Sequence, residues 1–182
     1  MKTLLTTALY FLMTWSADAQ CDLHKKTDDF TNKTSVWTDK VKITSGGTPS
    51  LLKSYGDNCR YKIYFRLIEQ NGKVFISMSE NSDQCVCSIE AIALKFKDGK
   101  VIIKNNYKDG ETIKTPLGEE RFTFFEITND ELSQLSTGSV TKFRITEPGC
   151  RDHPVLEEEM EDAFATKILQ YAGCVLQNTG DK

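Results

Sequence analysis

Tyr61-Lys62-Ile63-Tyr64-Phe65-Arg66-Leu67-Ile68-Glu69-Gln70-Asn71-Gly72-Lys73-Val74-Phe75-Ile76-Ser77-Met78-Ser79 decides the fold. Two strand-like runs flank an Asn-Gly pair, which tolerates the positive φ angles of a two-residue hairpin turn, so Tyr61 to Glu69 folds back onto Lys73 to Ser79 as an antiparallel pair. The same logic applies at Asp98-Gly99, where Ile89 to Phe96 turns into Val101 to Asn105. A meander results. A third pair, Asp109-Gly110, is expected only to turn the chain towards the strand Arg121 to Ile127, because Glu111 to Gly118 contains Pro116 and is weakly patterned.

Ile89 to Phe96 shows Ile89, Ala91 and Ala93 on one face and Ile92, Leu94 and Phe96 on the other. Apolar residues on both faces imply cover on both sides and a central position in a sheet. Phe122-Thr123-Phe124-Phe125-Glu126-Ile127 reads the same way, and a sandwich or a helix-backed sheet would satisfy both strands. Upstream, Asp22 to Ser54 is polar and Thr-rich, which suggests loops around edge strands near Val36-Trp37 and Val41 to Thr44.

Helical signals come late. Thr128-Asn129-Asp130-Glu131 has capping-box spacing, Leu132 and Leu135 supply a short apolar edge, and Gly138 follows. A strand from Ser139 to Thr146 is expected next. Pro154 suits a first helical turn, with Glu157, Glu158 and Glu159 near the positive end of the helix dipole. Leu156, Met160, Phe164, Ile168, Tyr171 or Ala172, and Val175 then recur at three- to four-residue spacing, an amphipathic stripe centred on Phe164 and Ile168.

Met1 to Ala19 reads as a secretory signal: Lys2, an apolar run from Leu4 to Met13, then Ala17-Asp18-Ala19 before the cut. The apolar run is shorter than the roughly 18 residues of a membrane span. The mature chain is then 20–182, a size suited to one secreted α+β domain. Export places Cys21, Cys59, Cys85, Cys87, Cys150 and Cys174 in an oxidising compartment, periplasmic or extracellular, where six cysteines imply three disulfides. Lipid attachment at Cys21 is not favoured, since Gln20 precedes it. Cys85 and Cys87 project to one face of an extended segment, where a mutual bridge is strained. Cys150 and Cys174 flank a helix of about 20 residues, roughly 30 Å at ~1.5 Å per residue, far beyond the ~7 Å that a disulfide spans between Cα atoms. Ten of the fifteen connectivities survive. The hairpin brings Cys59 opposite Gln84, so Cys85, or else Cys87, is its expected partner.

Net charge is −3, with 39% hydrophobic and 27% charged residues. That composition belongs to an ordinary folded chain. Lysines alternate with acids, as in Lys95-Phe96-Lys97-Asp98-Gly99-Lys100, which gives no clustered basic tract for nucleic acid. Cys85-Val86-Cys87 has the wrong spacing for zinc or for a redox pair. His24 and His153 adjoin no nucleophile motif. The acids Glu157, Glu158, Glu159, Glu161 and Asp162 read as one solvated helix face, and Asn32-Lys33-Thr34 is a glycosylation sequon only in a eukaryotic host. Trp37, Tyr61, Tyr64 and Phe65 could line a binding surface, although strand aromatics are more often core. No catalytic residue, metal ligand or cofactor is indicated.

The leader ending Ala17-Asp18-Ala19-Gln20, the opening Asp28-Asp29-Phe30-Thr31, the central Leu94-Lys95-Phe96-Lys97-Asp98-Gly99 and the late Glu126-Ile127-Thr128-Asn129-Asp130-Glu131-Leu132 together resemble uncharacterised secreted proteins of Bacteroidetes-type bacteria. The resemblance implies an envelope or extracellular location and carries no activity. The expected architecture is α+β: an antiparallel, meander-rich sheet or sandwich, with a short helix and a C-terminal amphipathic helix, stapled by disulfides and without a transmembrane segment once the leader is removed. The expected function is non-enzymatic binding or accessory work towards an envelope or extracellular partner. Two alternatives are a secreted hydrolase using carboxylates and a small inhibitor presenting the loop Ser45 to Ser54.

Overall fold

A computed structural model describes residues 21–43, 62–82, 88–105, 107–115, 118–148 and 155–180. The leader 1–19, the loop 45–54, Tyr61, Cys59, Cys85, Cys87, Cys150 and His153 lie outside the described residues. Among the described residues the order is β1 (Leu23–Thr27), β2 (Thr34–Thr38), β3 (Val41–Lys42), β4 (Lys62–Gln70), β5 (Lys73–Ser82), β6 (Ala91–Phe96), β7 (Val101–Lys104), β8 (Tyr107–Thr115), β9 (Gly118–Ile127), α1 (Asn129–Thr137), β10 (Val140–Thr146), β11 (Val155–Glu159) and α2 (Asp162–Gly180).

The hairpin that decides the fold is present in the expected register, from Gln70 opposite Lys73 to Lys62 opposite Asn81. Asn71 and Gly72 both take positive φ, 55° and 74°, as a two-residue turn matched to strand twist requires. Glu69 holds the turn by accepting the Gly72 amide at 3.1 Å. This pair is the middle of a seven-stranded antiparallel sheet, ordered β1-β2-β4-β5-β9-β8, with β3 also paired to β4. The second hairpin, β6-β7, leaves that sheet and joins β10 and β11 in a four-stranded antiparallel sheet, β11-β10-β6-β7. The meander is therefore divided between two sheets.

Between the sheets lies one apolar cluster. Ile63, Phe65 and Leu67 of β4, Ile76 and Met78 of β5 and Phe125 of β9 meet Ile92, Leu94 and Phe96 of β6, Phe143 and Ile145 of β10, Leu132 and Leu135 of α1, and Ile168, Ala172 and Val175 of α2. Helix α1 begins at its capping box: Thr128 Oγ1 accepts the Glu131 amide at 3.2 Å, and the Glu131 carboxylate accepts the Thr128 amide at 2.8 Å. Helix α2 packs on α1 and touches β3, β4 and β10. A disulfide joins Cys21, just ahead of β1, to Cys174 of α2, their Cα atoms 5.6 Å apart.

Four expectations are corrected. Val155–Glu159, expected as the first turn of the last helix, is an edge strand, and the helix starts at Asp162. Tertiary partners decide it: Leu156 lies opposite Ile145, while Glu157 and Glu159 lie opposite Arg144 and Lys142 and form ion pairs at 2.6 and 3.3 Å. Phe164, expected at the buried centre of α2, is only half-buried, whereas Ile168 is 1% exposed. Strand β6 is internal to its sheet and buries its Ile92, Leu94 and Phe96 face; of the other expected face, Ile89 just ahead of the strand is buried, while Ala91 and Ala93 are half-covered. Asp109-Gly110 is no turn. It sits inside β8 at a bulge, where the register with β9 shifts between Asp109 and Thr112. A Cβ at Gly110 would lie 2.6 Å from the Phe124 ring and 2.8 Å from the Phe122 carbonyl, so the glycine serves close approach of β8 to β9.

A groove on the outer face of the large sheet

Alternation along β4 sends Ile63, Phe65, Leu67 and Glu69 to the core and Tyr64, Arg66, Ile68 and Gln70 to the opposite face. Register extends that outer face across the sheet in rows. Trp37, Ile68, Phe75 and Glu126 form one row over β2, β4, β5 and β9. Arg66, Ser77, Phe124 and Lys108 form the next over β4, β5, β9 and β8, and Tyr64, Ser79 and Phe122 the third. Trp37, Ile68, Phe75, Phe124, Arg66 and Lys108, with Ser35 and Gln70 at one end, line a groove of about 460 Å³. That volume is within the usual range for small-ligand sites, and the mixture of apolar walls with few polar groups is typical of them.

The charges on this face are distinctive. Glu120, 8% exposed, accepts a hydrogen bond from Ser79 Oγ at 2.7 Å and is paired with Lys40. Glu126 accepts from Lys73 Nζ at 2.8 and 2.9 Å, and this bond holds its carboxyl below the usual range. The cations lie against rings: Lys40 Nζ is 5.0 Å from the Phe122 centroid, Arg66 5.4 Å from the same ring, and Lys108 Nζ 5.4 Å from Phe75. Burial lowers the Arg66 pKa below its ordinary value, and the field of Glu120 opposes that shift. Two polar atoms in the middle row are buried without a hydrogen-bond partner, Arg66 Nε and Ser77 Oγ. Such groups are uncommon in folded chains, and each costs about 1–3 kcal/mol.

Of the aromatic residues considered from sequence, Trp37 and Tyr64 are half-buried on the outer face, while Phe65 is wholly core. His24 stacks on Trp37 with ring centroids 5.8 Å apart, and its Nε2 lies 2.7 Å from Asp39 Oδ1 at the groove's rim. The C-terminal acids do not converge. Glu157 and Glu159 pair outward, Asp162 sits in the first turn of α2, and Glu158 points the other way, half-buried, with its pKa raised by burial. Glu147, 3% exposed after β10, has its pKa pushed up to about 7 by burial and leaves Oε1 unpaired.

Arg66, Ser77, Phe75, Lys108 and Phe124 were not singled out from sequence. Their signal was the outward half of each strand's alternation, which identifies a face only once the register is known. Among the described residues there is no group of three or more His, Cys, Asp or Glu side chains that could hold a metal ion, and no helix long and apolar enough to cross a membrane. Comparison with family models, curated proteins and solved structures found no match.

Proposed function

We propose that this chain is a secreted, non-enzymatic binding protein of the envelope or extracellular space, and that the outer-face groove is its ligand site. The observation that carries the reading is the clustering of Trp37, Ile68, Phe75 and Phe124 around one recess on a sheet face turned away from the apolar core. Secretion rests on the leader sequence, and the Cys21–Cys174 bridge supports it, because such bonds persist in oxidising compartments.

Calorimetric titration of the mature protein with three naphthalene probes, 2-naphthoate, 2-naphthamide and (2-naphthyl)methylammonium, tests the reading. At least one probe should bind, and Phe75→Ala should weaken it at least tenfold while the far-ultraviolet spectrum is unchanged. Absence of heat with all three, or binding indifferent to Phe75→Ala, would refute it.

A further inference from the structure

We infer that the groove's ligand is an organic anion: an apolar body carrying a carboxylate or equivalent acid, with the acid seated on Arg66, beside which Ser77 lies buried in the same row. The inference rests on the groove being a ligand site and adds the chemistry of what it takes.

The chain provides its own template. On β5, Ser77 and Ser79 are two residues apart, on the same face and both buried. Ser79 lies beside Lys40, and the Glu120 carboxylate joins the two, accepting from the serine hydroxyl and pairing with the ammonium. Ser77 lies directly across from Arg66, again a serine hydroxyl beside a cation, and here both Ser77 Oγ and Arg66 Nε lack a partner. The missing element at this second position is a carboxylate.

The charge of the face favours the same occupant. Lys40, Arg66, Lys73 and Lys108 stand against Glu120, Glu126 and, at the rim, Asp39, and all three carboxylates are already held, by Lys40 with Ser79, by Lys73 and by His24. The surplus is positive on a chain whose net charge is −3, so an incoming anion is drawn to this face in particular. Lys108 is in register with Phe124 and contributes to that field from the groove's far side. The apolar body then lies along Phe124, Phe75 and Trp37, away from Arg66. The groove's volume, about 460 Å³, suits a molecule of drug-like size.

The same three probes separate this inference from the reading beneath it. The acid should bind at least tenfold more tightly than the amide, and the ammonium more weakly than both. Arg66→Met should bring the acid down to the amide, and Lys108→Gln, which leaves the middle of the sheet untouched, should weaken the acid alone by a few-fold, more at low salt than at high. If the acid and the amide bind equally in the parent protein, or if the ammonium binds best, the anion assignment falls while the groove remains a ligand site. Displacement of 2-naphthoate by a ten-nucleotide oligothymidylate at lower concentration than by unlabelled acid would also overturn it, because a polyanion would then be the better occupant.

Discussion

Replacing Cys21 by Ser and Cys174 by Ala opens the bridge between the chain ahead of β1 and α2. The bridged residues are 153 apart in sequence, and the chain-entropy model assigns a loop of that length about 5 kcal/mol of stabilisation at 25 °C. Any cross-links among Cys59, Cys85, Cys87 and Cys150 shorten the loop in the denatured state, so the expected loss is about 3–5 kcal/mol. Domains of this size are usually stable by only about 5–15 kcal/mol, so the variant should melt far earlier. The effect should also have a place. Among the described residues strand β1 pairs only with β2, and its four residues after Leu23 are exposed, so the bridge and the backbone ladder are its main anchors. Hydrogen exchange should therefore accelerate first at the β1 amides, while β4 and β5 exchange only on global unfolding. Because His24 of β1 covers Trp37, emission from Trp37 should shift to the red before the far-ultraviolet signal is lost. Urea titration read by circular dichroism gives the free energy, and the denaturant slope should rise as the unfolded chain expands. A loss below about 1 kcal/mol, or protection of β1 equal to that of β4 in the variant, would refute the reasoning.

Ile168→Ala should cost about 2–5 kcal/mol, since the side chain is 1% exposed within the core cluster, and Phe164→Ala should cost less because that ring is half-buried; paired urea midpoints decide the order. Glu147 provides a pH signature. Its folded pKa of about 7 lies above the ordinary 4.5, so the native state holds more protons than the unfolded chain between those values, and stability should fall by up to about 3 kcal/mol as pH rises from 4.5 to 7, then level off. Glu147→Gln should flatten that part of the profile in denaturation curves taken at stepped pH.

Elements governed by neighbours in sequence were legible. Asn71-Gly72 specified both the turn and the register of β4 and β5, and Thr128 with Glu131 specified the start of α1. Misreadings arose where a distant strand overrides a local pattern. The spacing from Leu156 to Met160 suits a helix face, yet it also suits alternate positions of an extended segment, and only Arg144 and Lys142 across the ladder favour the strand. Asp109-Gly110 looks like a turn because most such pairs are turns. Here the glycine answers to the rings and backbone of β9, which no window around residue 110 contains.

The groove was illegible for a related reason. An outward row such as Arg66-Ser77-Phe124-Lys108 takes one residue from each of four strands, and each residue alone looks like an ordinary member of a solvated face. The one local hint was β9, where Phe122, Phe124 and Phe125 place aromatic rings on both sides. Rings on both sides of a strand imply cover on both sides, which is the general expectation for a sheet packed twice. For β6 the second side carries two half-covered alanines and, just ahead of the strand, the buried Ile89. For β9 it is the wall of a recess. Phe125 completes the core, while Phe122 and Phe124 face outward with cations and an unpaired hydroxyl beside them. Aromatic surface that is neither core nor freely hydrated, set beside polar atoms without partners, is what a site for an amphipathic ligand requires.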